Sequence, residues 1–276
     1  MRHPAVAVAS PFRFSVNMSL KIASWNVNSI KARQEHVARF LKEKNPDVLF
    51  IQELKGETFP EISSDYHVVY VGQKTYNGVA ILTHHGEETK IISTRLAGDD
   101  TDEQARYLEI EFKGLRLINI YLPNGNPVQE DSDKFPYKLK WMERLYHRLS
   151  QLRSEQIPFL VGGDFNVIPD DIDCYNPTAW QGDALFRIET HQAWRALLNL
   201  GLSDAYRVLN PLTANAYTFW DYQAGAWPQN HGIRIDHFLL SPPVTDRLLS
   251  CWIDPTPRGW DKASDHTPIF IELSEI

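Results

Sequence analysis

Several stretches of this 276-residue chain place amide, carboxylate, phenol and imidazole side chains directly after short apolar runs. Ser24-Trp25-Asn26-Val27-Asn28 follows one such run and Gln52-Glu53-Leu54-Lys55 follows another. Tyr121-Leu122-Pro123-Asn124, Gly162-Gly163-Asp164-Phe165-Asn166, Arg234-Ile235-Asp236-His237 and Ser264-Asp265-His266-Thr267 continue the series. Each has an ordinary explanation on its own. Glu53 can be a solvated carboxylate, Gly162-Gly163-Asp164 a tight turn, and Asn26 and Asn124 turn residues bonded to nearby backbone. Tyr121 can be a core tyrosine, His266 a structural imidazole, and Asp236 an ion-pair partner of Arg234. Their joint occurrence at strand ends, where open α/β sheets place ligands, points to chemistry. Carboxylate and amide oxygens are hard ligands that suit Mg²⁺ or Mn²⁺ and not zinc, and a histidine among them can donate to a phosphate oxygen. Asp265 and His266 are adjacent, so on extended backbone their side chains diverge. Asp265 is then expected to face a metal and His266 the substrate, with Asp236 the carboxylate that orients the imidazole.

The elements that must hold these residues alternate in type. Lys21–Asn26 reads as a strand, and Ile30–Lys44 as a helix with Ile30, Val37, Phe40 and Leu41 on one face, ended by Asn45-Pro46. Val48–Ile51 is a continuous apolar run, as expected of a strand buried on both faces. Strands follow at Val68–Val71, Gly78–Leu82, Arg106–Phe112 and Leu115–Tyr121. The third of these alternates Leu108, Ile110 and Phe112 with Tyr107, Glu109 and Glu111, which predicts a half-exposed strand. Trp141, Leu145, Leu149 and Leu152 form a helical stripe, Pro158–Val161 returns to a strand, and Trp194, Leu197 and Leu198 mark another helix. Ile235–Leu240, Leu249–Ile253 and Pro268–Leu273 close the chain as strands. Helices interspersed among several consecutive strands favour two packed mixed sheets with helices outside.

Composition narrows the classes. Hydrophobic residues make up 43% and charged residues 23%, an ordinary globular balance. No apolar run approaches the roughly 20 residues of a membrane helix. Two cysteines, Cys174 and Cys251, are too few for a disulfide framework or a cysteine zinc cluster and suit a reducing compartment. The net charge of −7 argues against coating nucleic acid by bulk attraction, but allows a local basic groove or a metal-filled acidic site. Residues 1–19 carry Arg2 and Arg13, no acid and no clear period, and read as a flexible extension or an over-long start preceding Met18. A transit peptide would need an amphipathic helix that is not evident there, so a cytoplasmic protein is expected. Residues 20–276 read as a single domain.

The ordered set WNVNSIKAR, DVLFIQELK, NGVAIL, INIYLPNG, VGGDFNV, YTFWDY, GIRIDHFLLS and SDHTPI resembles the exonuclease III family of DNA-repair nucleases. The likeness runs from about Leu20 to Leu273. GDFN, SDH and QE are shared across the wider endonuclease/exonuclease/phosphatase superfamily, inositol phosphatases and sphingomyelinases included; QELK, IYLPNG, TFWDY and GIRID are specific to the repair branch. The resemblance implies a four-layered α/β sandwich like DNase I, a monomer, and a hydrolase that needs Mg²⁺ or Mn²⁺ to cut duplex DNA 5′ to abasic sites and to remove 3′-terminal nucleotides or blocking groups. By motif, Glu53 is implied as the principal metal ligand, with Asp265 and Asn26 completing the shell directly or through water. Asp164 activates the attacking water and Asn166 fixes it, and these two with His266 can form a second metal position. Tyr121 and Asn124 contact the phosphate. His266, oriented by Asp236, stabilises charge developing on phosphorus. Phe219, Ile233 and Ile235 wall the abasic sugar, Arg234 is the basic contact beside them, Trp220, Tyr222 or Trp227 hold bases, and Asn28 and Lys55 join the DNA contacts.

Phosphodiester hydrolysis at neutral pH needs a nucleophile made from water, shielding of phosphate charge and help for the leaving oxygen, which metal and positioned donors supply. The acidic cluster repels a polyanion until metal is bound. Departures from the family pattern fall at Asn28, which is Asp in some relatives, at Ile233, which is tryptophan in the animal enzymes, and along Asp170–Gln181, a loop that shapes the abasic pocket. Three alternatives are kept: an enzyme specialised for 3′ ends, a superfamily phosphatase acting on a small phosphate ester, and a DNA-binding module without catalysis. The complete set of acids, amides and histidine weighs against the last.

Overall fold

The computed structural model describes residues 19–86 and 88–275; the expectations for the leader fall on residues 1–18, outside the described residues. In chain order the elements are β1 (Ser19–Asn26), α1 (Ile30–Lys44), β2 (Val48–Gln52), β3 (Tyr66–Val71), β4 (Val79–His84), β5 (Thr89–Ser93), β6 (Tyr107–Phe112), β7 (Leu115–Tyr121), α2 (Lys134–Ser154), β8 (Phe159–Asp164), α3 (Pro177–Trp180), α4 (Ile188–Leu198), β9 (Ser203–Asp204), α5 (Ala205–Leu209), β10 (Asp236–Leu240), α6 (Pro242–Thr245), β11 (Leu248–Ile253) and β12 (Ile269–Ser274). They form two six-stranded sheets, ordered β11-β12-β1-β2-β4-β3 and β5-β6-β7-β8-β10-β9. The architecture is the four-layered α/β sandwich that the resemblance implies.

Each sheet has one parallel pair at its middle, β1 with β2 and β7 with β8. Parallel neighbours need a crossover, which helices α1 and α2 supply. Both pairs therefore end together: Asn26 beside Gln52 and Tyr121 beside Asp164. Antiparallel strands begin where these end, with Asp236 of β10 opposite Asp164 and Ile269 of β12 opposite Ser24. Residues preceding β12 are thereby delivered to the same rim. This topology explains why the polar clusters of the sequence sit after apolar runs: the runs are central strands, and the clusters are their shared edge.

Apolar side chains between the sheets, among them Ile22, Phe50, Ile81, Ile110, Leu117, Leu160 and Phe238, form the inner core. Trp25, Leu49 and Ile51 pack outward on Val37, Phe40 and Leu41 of α1, and Ile118, Ile120 and Val161 pack on Trp141, Leu145 and Leu149 of α2. The half-exposed reading of β6 is corrected. Tyr107 and Glu109 are buried, and of its polar face only Glu111 is exposed. The Glu109 carboxylate accepts from Arg148 of α2 at 2.7 Å, from Arg116 at 2.7 Å and from the Tyr107 hydroxyl at 2.6 Å, so the acid is buried with its charge matched. The alternation does not reveal β5 or the short helices α3, α5 and α6.

Gly162 and Gly163 lie within β8 and not in a tight turn. Gly163 has φ 138°, and a Cβ there would sit 2.0 Å from the Ile120 carbonyl oxygen. A Cβ on Gly162 would meet the Phe238 ring at 2.4 Å. Glycine lets β8 run flush between its neighbours to its last residue, Asp164.

Candidate active site

The shared rim gathers Asn26, Glu53, Tyr121, Asp164, Asn166, Asp236 and His266. Glu53, Asp164 and His266 present ligand atoms all within 4.8 Å of one another. The Asn26 amide lies between the two carboxylates, donating to Glu53 Oε1 at 2.9 Å and to Asp164 Oδ2 at 3.0 Å. Its oxygen accepts from the Asn28 backbone N–H at 3.0 Å. Asn26 thus bridges the acids through nitrogen, while the Asn28 backbone N–H holds its oxygen.

His266 Nδ1 pairs with Asp236 Oδ2 at 2.8 Å, and Nε2 lies 3.7 Å from Asp164 Oδ2. The imidazole stands between two buried carboxylates contributed by paired residues of β8 and β10. Thr218 Oγ1 accepts the backbone N–H groups of Ile235 and Asp236 at 3.0 and 3.1 Å. Trp25 Nε1 donates to the His266 carbonyl at 3.2 Å, and Ser264 Oγ donates to the Asn26 carbonyl at 2.7 Å. The other Asp236 oxygen, Oδ1, is buried with no hydrogen-bond partner.

Asn166 is fixed on every side. Its N–H donates to Asp164 Oδ1 at 2.9 Å, its amide nitrogen to the Leu122 carbonyl at 2.9 Å, and its oxygen accepts from Asn124 at 3.0 Å. Asp265 diverges from His266 as their adjacency requires. Its Oδ1 accepts from Asn28 Nδ2 at 3.0 Å, and it stands outside the Glu53–Asp164–His266 trio. Lys55 Nζ meets Glu53 Oε2 at 2.8 Å and also donates to Asn28. Asn28, Glu53, Lys55 and Asn166, none of them glycine, all have positive φ: 46°, 57°, 51° and 47°. Such backbone costs about 1–3 kcal/mol per residue and concentrates where surrounding structure enforces function.

Electrostatics separates these groups. Burial pushes the Glu53 carboxyl up, but the Lys55 ammonium and the Asn26 amide outweigh it and hold Glu53 below the usual range. Asp164 is pushed up to about 7, chiefly by burial and further by Asp236 and Glu53, against the lowering influence of His266. Burial alone would neutralise His266; Asp236 and Asp164 reverse that and raise it to about 10. The imidazole is therefore a cation at neutral pH. Tyr121 is raised well above 10 by burial and the carboxylates of Glu53 and Asp164, so its hydroxyl keeps its proton.

A match to the model of the "Endonuclease/Exonuclease/phosphatase family" spans residues 23–266, with both the first and last of these clusters inside it. The chain belongs to that family. Among its relatives is exodeoxyribonuclease III of Haemophilus influenzae, 35% identical over 269 residues that cover 92% of this chain and 100% of the relative. An AP endonuclease from Archaeoglobus fulgidus superposes with TM-score 0.85 at 38% identity, covering 93% of this chain and 100% of the other. A 3′ phosphatase from Neisseria bound to a product DNA hairpin gives TM-score 0.86 at 34% identity, with the same coverage of 93% and 100%. The repair branch of the endonuclease/exonuclease/phosphatase family is where this chain falls.

The DNA-facing expectations fare unevenly in this family member. Asn28, Lys55, Asn124 and Phe219 are accessible at the rim, and the Phe219 ring meets that of His266 edge-on at 5.0 Å. Trp220 is only 3% exposed: its indole N–H donates to Asn230 at 3.0 Å and its ring packs on Trp227. Arg234 is wholly buried and bonded to Asp173 and Asp204, so neither side chain is exposed for a DNA contact. Ile233 and Ile235 are 1% and 2% exposed and pack with Ile168, Cys174 and Leu185, which leaves Phe219 as the open part of the apolar wall. Sequence reasoning missed Lys138. Fully buried, its ammonium donates to the carbonyls of Asn166 at 2.6 Å and Asn124 at 3.1 Å, and burial pulls its pKa down to about 7. Its signal was a lysine at helical spacing inside the apolar stripe Phe135, Met142, Leu145.

Proposed function

We propose that this chain is a DNA-repair phosphodiesterase that cuts duplex DNA 5′ to abasic sites and clears 3′-terminal nucleotides or 3′-blocking groups, using Mg²⁺ or Mn²⁺. The observation that carries the reading is the convergence of Glu53, Asp164 and His266 within 4.8 Å, with Asp236 behind the imidazole. The relatives named exodeoxyribonuclease III, AP endonuclease and 3′ phosphatase support the substrate and both activities.

The residues fit a divalent cation. Glu53 is held ionised, Asp164 is buried close to the carboxylates of Glu53 and Asp236, and both offer hard oxygens. Glu53 and Asp164 would hold the ion, with Asp265 entering beside Asn28. Such an ion supplies shielding of phosphate charge and stabilisation of the leaving oxygen. The protein's own groups do the rest. Asp164 is placed to orient the attacking water and accept its proton, and Asn166 N–H and Asn26 fix its two oxygens. His266, protonated on both nitrogens, anchors Nδ1 on Asp236 and presents Nε2–H to a phosphate oxygen. Tyr121 and the Asn124 amide lie on the same rim as further phosphate donors. Because water attacks phosphorus in each case, an internal phosphodiester and a 3′-terminal phosphate are handled by one set of groups.

The burial of Ile233 and Ile235 favours 3′-end processing as the stronger of the two activities, since an abasic sugar finds only Phe219 open. Three labelled substrates separate the readings: a duplex with one abasic site, a duplex with a 3′-phosphate, and a soluble phosphate ester, each with Mg²⁺ and with chelator. We expect both duplexes to be processed, only with metal, and the ester to be left. Turnover of the ester alone, or full activity in chelator, would overturn the proposal.

A further inference from the structure

We propose that Arg234 is a positioning residue for the Asp236–His266–Asp164 cluster, acting through a buried ionic network and making no contact with nucleic acid; this rests on the hydrolytic reading above. A guanidinium has five N–H donors in a fixed fork, and here the fork makes four hydrogen bonds and a further ion-pair contact. Nε reaches Asp173 Oδ1 at 2.6 Å. Nη2 reaches Asp173 Oδ2 at 3.0 Å and Asp204 Oδ2 at 2.9 Å. Nη1 reaches Asp204 Oδ1 at 3.2 Å and His237 Nδ1 at 2.8 Å. Since Nη1 is a donor, His237 Nδ1 accepts, and the ring proton lies on Nε2, which donates to the Val167 carbonyl at 2.9 Å. Arg207 also bonds Asp173. Two aspartates face two arginines, and the network is closed in charge.

Its attachment points bracket the catalytic groups. Arg234 and His237 lie either side of Asp236 along the chain. Val167 follows Asp164 and Asn166 by a few residues, and Asp173 ends the same loop; the Arg234 backbone N–H bonds the Asp173 carbonyl at 2.8 Å, and Phe165 N–H bonds the Ile235 carbonyl at 2.9 Å. The loop that carries Asp164 and Asn166 and the strand that carries Asp236 are thus tied together at four places, two of them through Arg234. The two carboxylates that flank His266 are held at a fixed separation by these ties. Side chains that hold catalytic groups within about 0.5 Å set rate more than affinity. A merely structural arginine would need none of this link to Val167, and a DNA contact would need to be exposed.

The test uses the full chain. Arg234→Lys keeps the charge but loses the fork, and should lower kcat on the 3′-phosphate duplex by about tenfold to 10²-fold, the cost of a misplaced group, while KM stays within about twofold. The downfield Nδ1–H proton resonance of His266, read by NMR on metal-free protein, should shift or broaden. Should Arg234→Lys fail to fold, His237→Phe severs the tie to Val167 while Arg234 keeps its two aspartate partners, and should show the same split. A rise in KM with kcat preserved would restore the DNA-contact role and overturn the proposal. So would unchanged kcat and an unmoved His266 resonance in either folded variant. The resonance is independent of turnover, so a wild-type chain inactive on DNA would defeat the functional reading while still leaving the positioning claim open to refutation.

Discussion

Two buried histidines stand on neighbouring parts of the same rim and titrate in opposite directions. His266 is flanked by Asp236 and Asp164 and is raised to about 10; His237 is buried against Arg234 and is lowered to about 4. Burial lowers both, so the difference is made by the sign of the nearest charge. The first region concentrates negative charge around one imidazolium and leaves Asp236 Oδ1 unpaired. The second pairs Arg234 and Arg207 with Asp173 and Asp204, so its charges match. An unbalanced site is what a cation and a phosphate can complete; a charge-matched one holds its surroundings still.

The contrast predicts different kinds of damage from mutation, and the largest effects fall in the unbalanced region. Glu53→Ala and His266→Ala should each lower the rate of abasic incision and of 3′-phosphate removal together, by about 10³-fold or more for groups that act in the transition state. Thermal unfolding should show both variants folded. Loss of one activity with retention of the other would mean two separate sites. Asp236→Asn should cost about 10²-fold, and combining it with His266→Ala should add little, because residues that act as a unit are non-additive. Multiplicative losses in a double-mutant cycle would separate Asp236 from the histidine.

In the balanced region the expected loss is stability. Arg234→Met strands two buried aspartates and should destabilise by about 3–5 kcal/mol in denaturant unfolding. A change under 1 kcal/mol would show that the network is not a closed ionic unit.

The two histidines should also shape the pH dependence of stability from opposite sides. His237, whose folded pKa lies below its ordinary 6.5, contributes stability that is present above 6.5 and lost as pH falls towards about 4. His266, raised above 6.5, contributes stability that is full below 6.5 and lost as pH rises towards about 10. Asp164, raised to about 7, works against the acid limb, because its protonation favours the folded state as pH falls from about 7. Difference curves of Tm for metal-free wild type against His237→Gln and His266→Gln isolate each histidine. The first should diverge only below about pH 6.5 and the second only above it; divergence on the same side would break the comparison.

The smallest effect is expected at the accessible edge. Phe219→Ala should weaken abasic incision severalfold more than 3′-phosphate removal, measured as the ratio of kcat/KM on the two duplexes. An unchanged ratio would remove Phe219 from sugar recognition.

Much of this was legible in the sequence because the chemistry sits at strand ends. Asn26, Glu53, Tyr121, Asp164, Asp236 and His266 each follow or precede an apolar run, and two parallel pairs oblige those runs to end together. What the sequence does not carry is which way a side chain turns once the loop beyond the strand closes. Arg234 and Trp220 lie in the right motifs, yet Asp173, 61 residues before the arginine in the chain, draws it inward, and Trp227 and Asn230 do the same for the indole. The amide of Asn26 presents nitrogen where oxygen was expected, because the backbone N–H of Asn28 claims the oxygen. Glu109 reads as solvent-facing until Arg148 arrives from α2. Arg234 and Glu109 are drawn inward by partners distant in sequence, Asp173 and Arg148, whose approach only the tertiary fold sets.

His266 is a cation at neutral pH, held by Asp236, while His237, buried against Arg234, is neutral. Protein labelled with ¹⁵N at its histidines, observed by NMR at pH 7, reports the protonation of each ring nitrogen directly. The account predicts two protonated nitrogens on His266, with Asp236→Asn shifting it towards the neutral ring, and on His237 a single proton, on Nε2. A neutral His266 at pH 7, or one indifferent to the loss of the Asp236 charge, would contradict it.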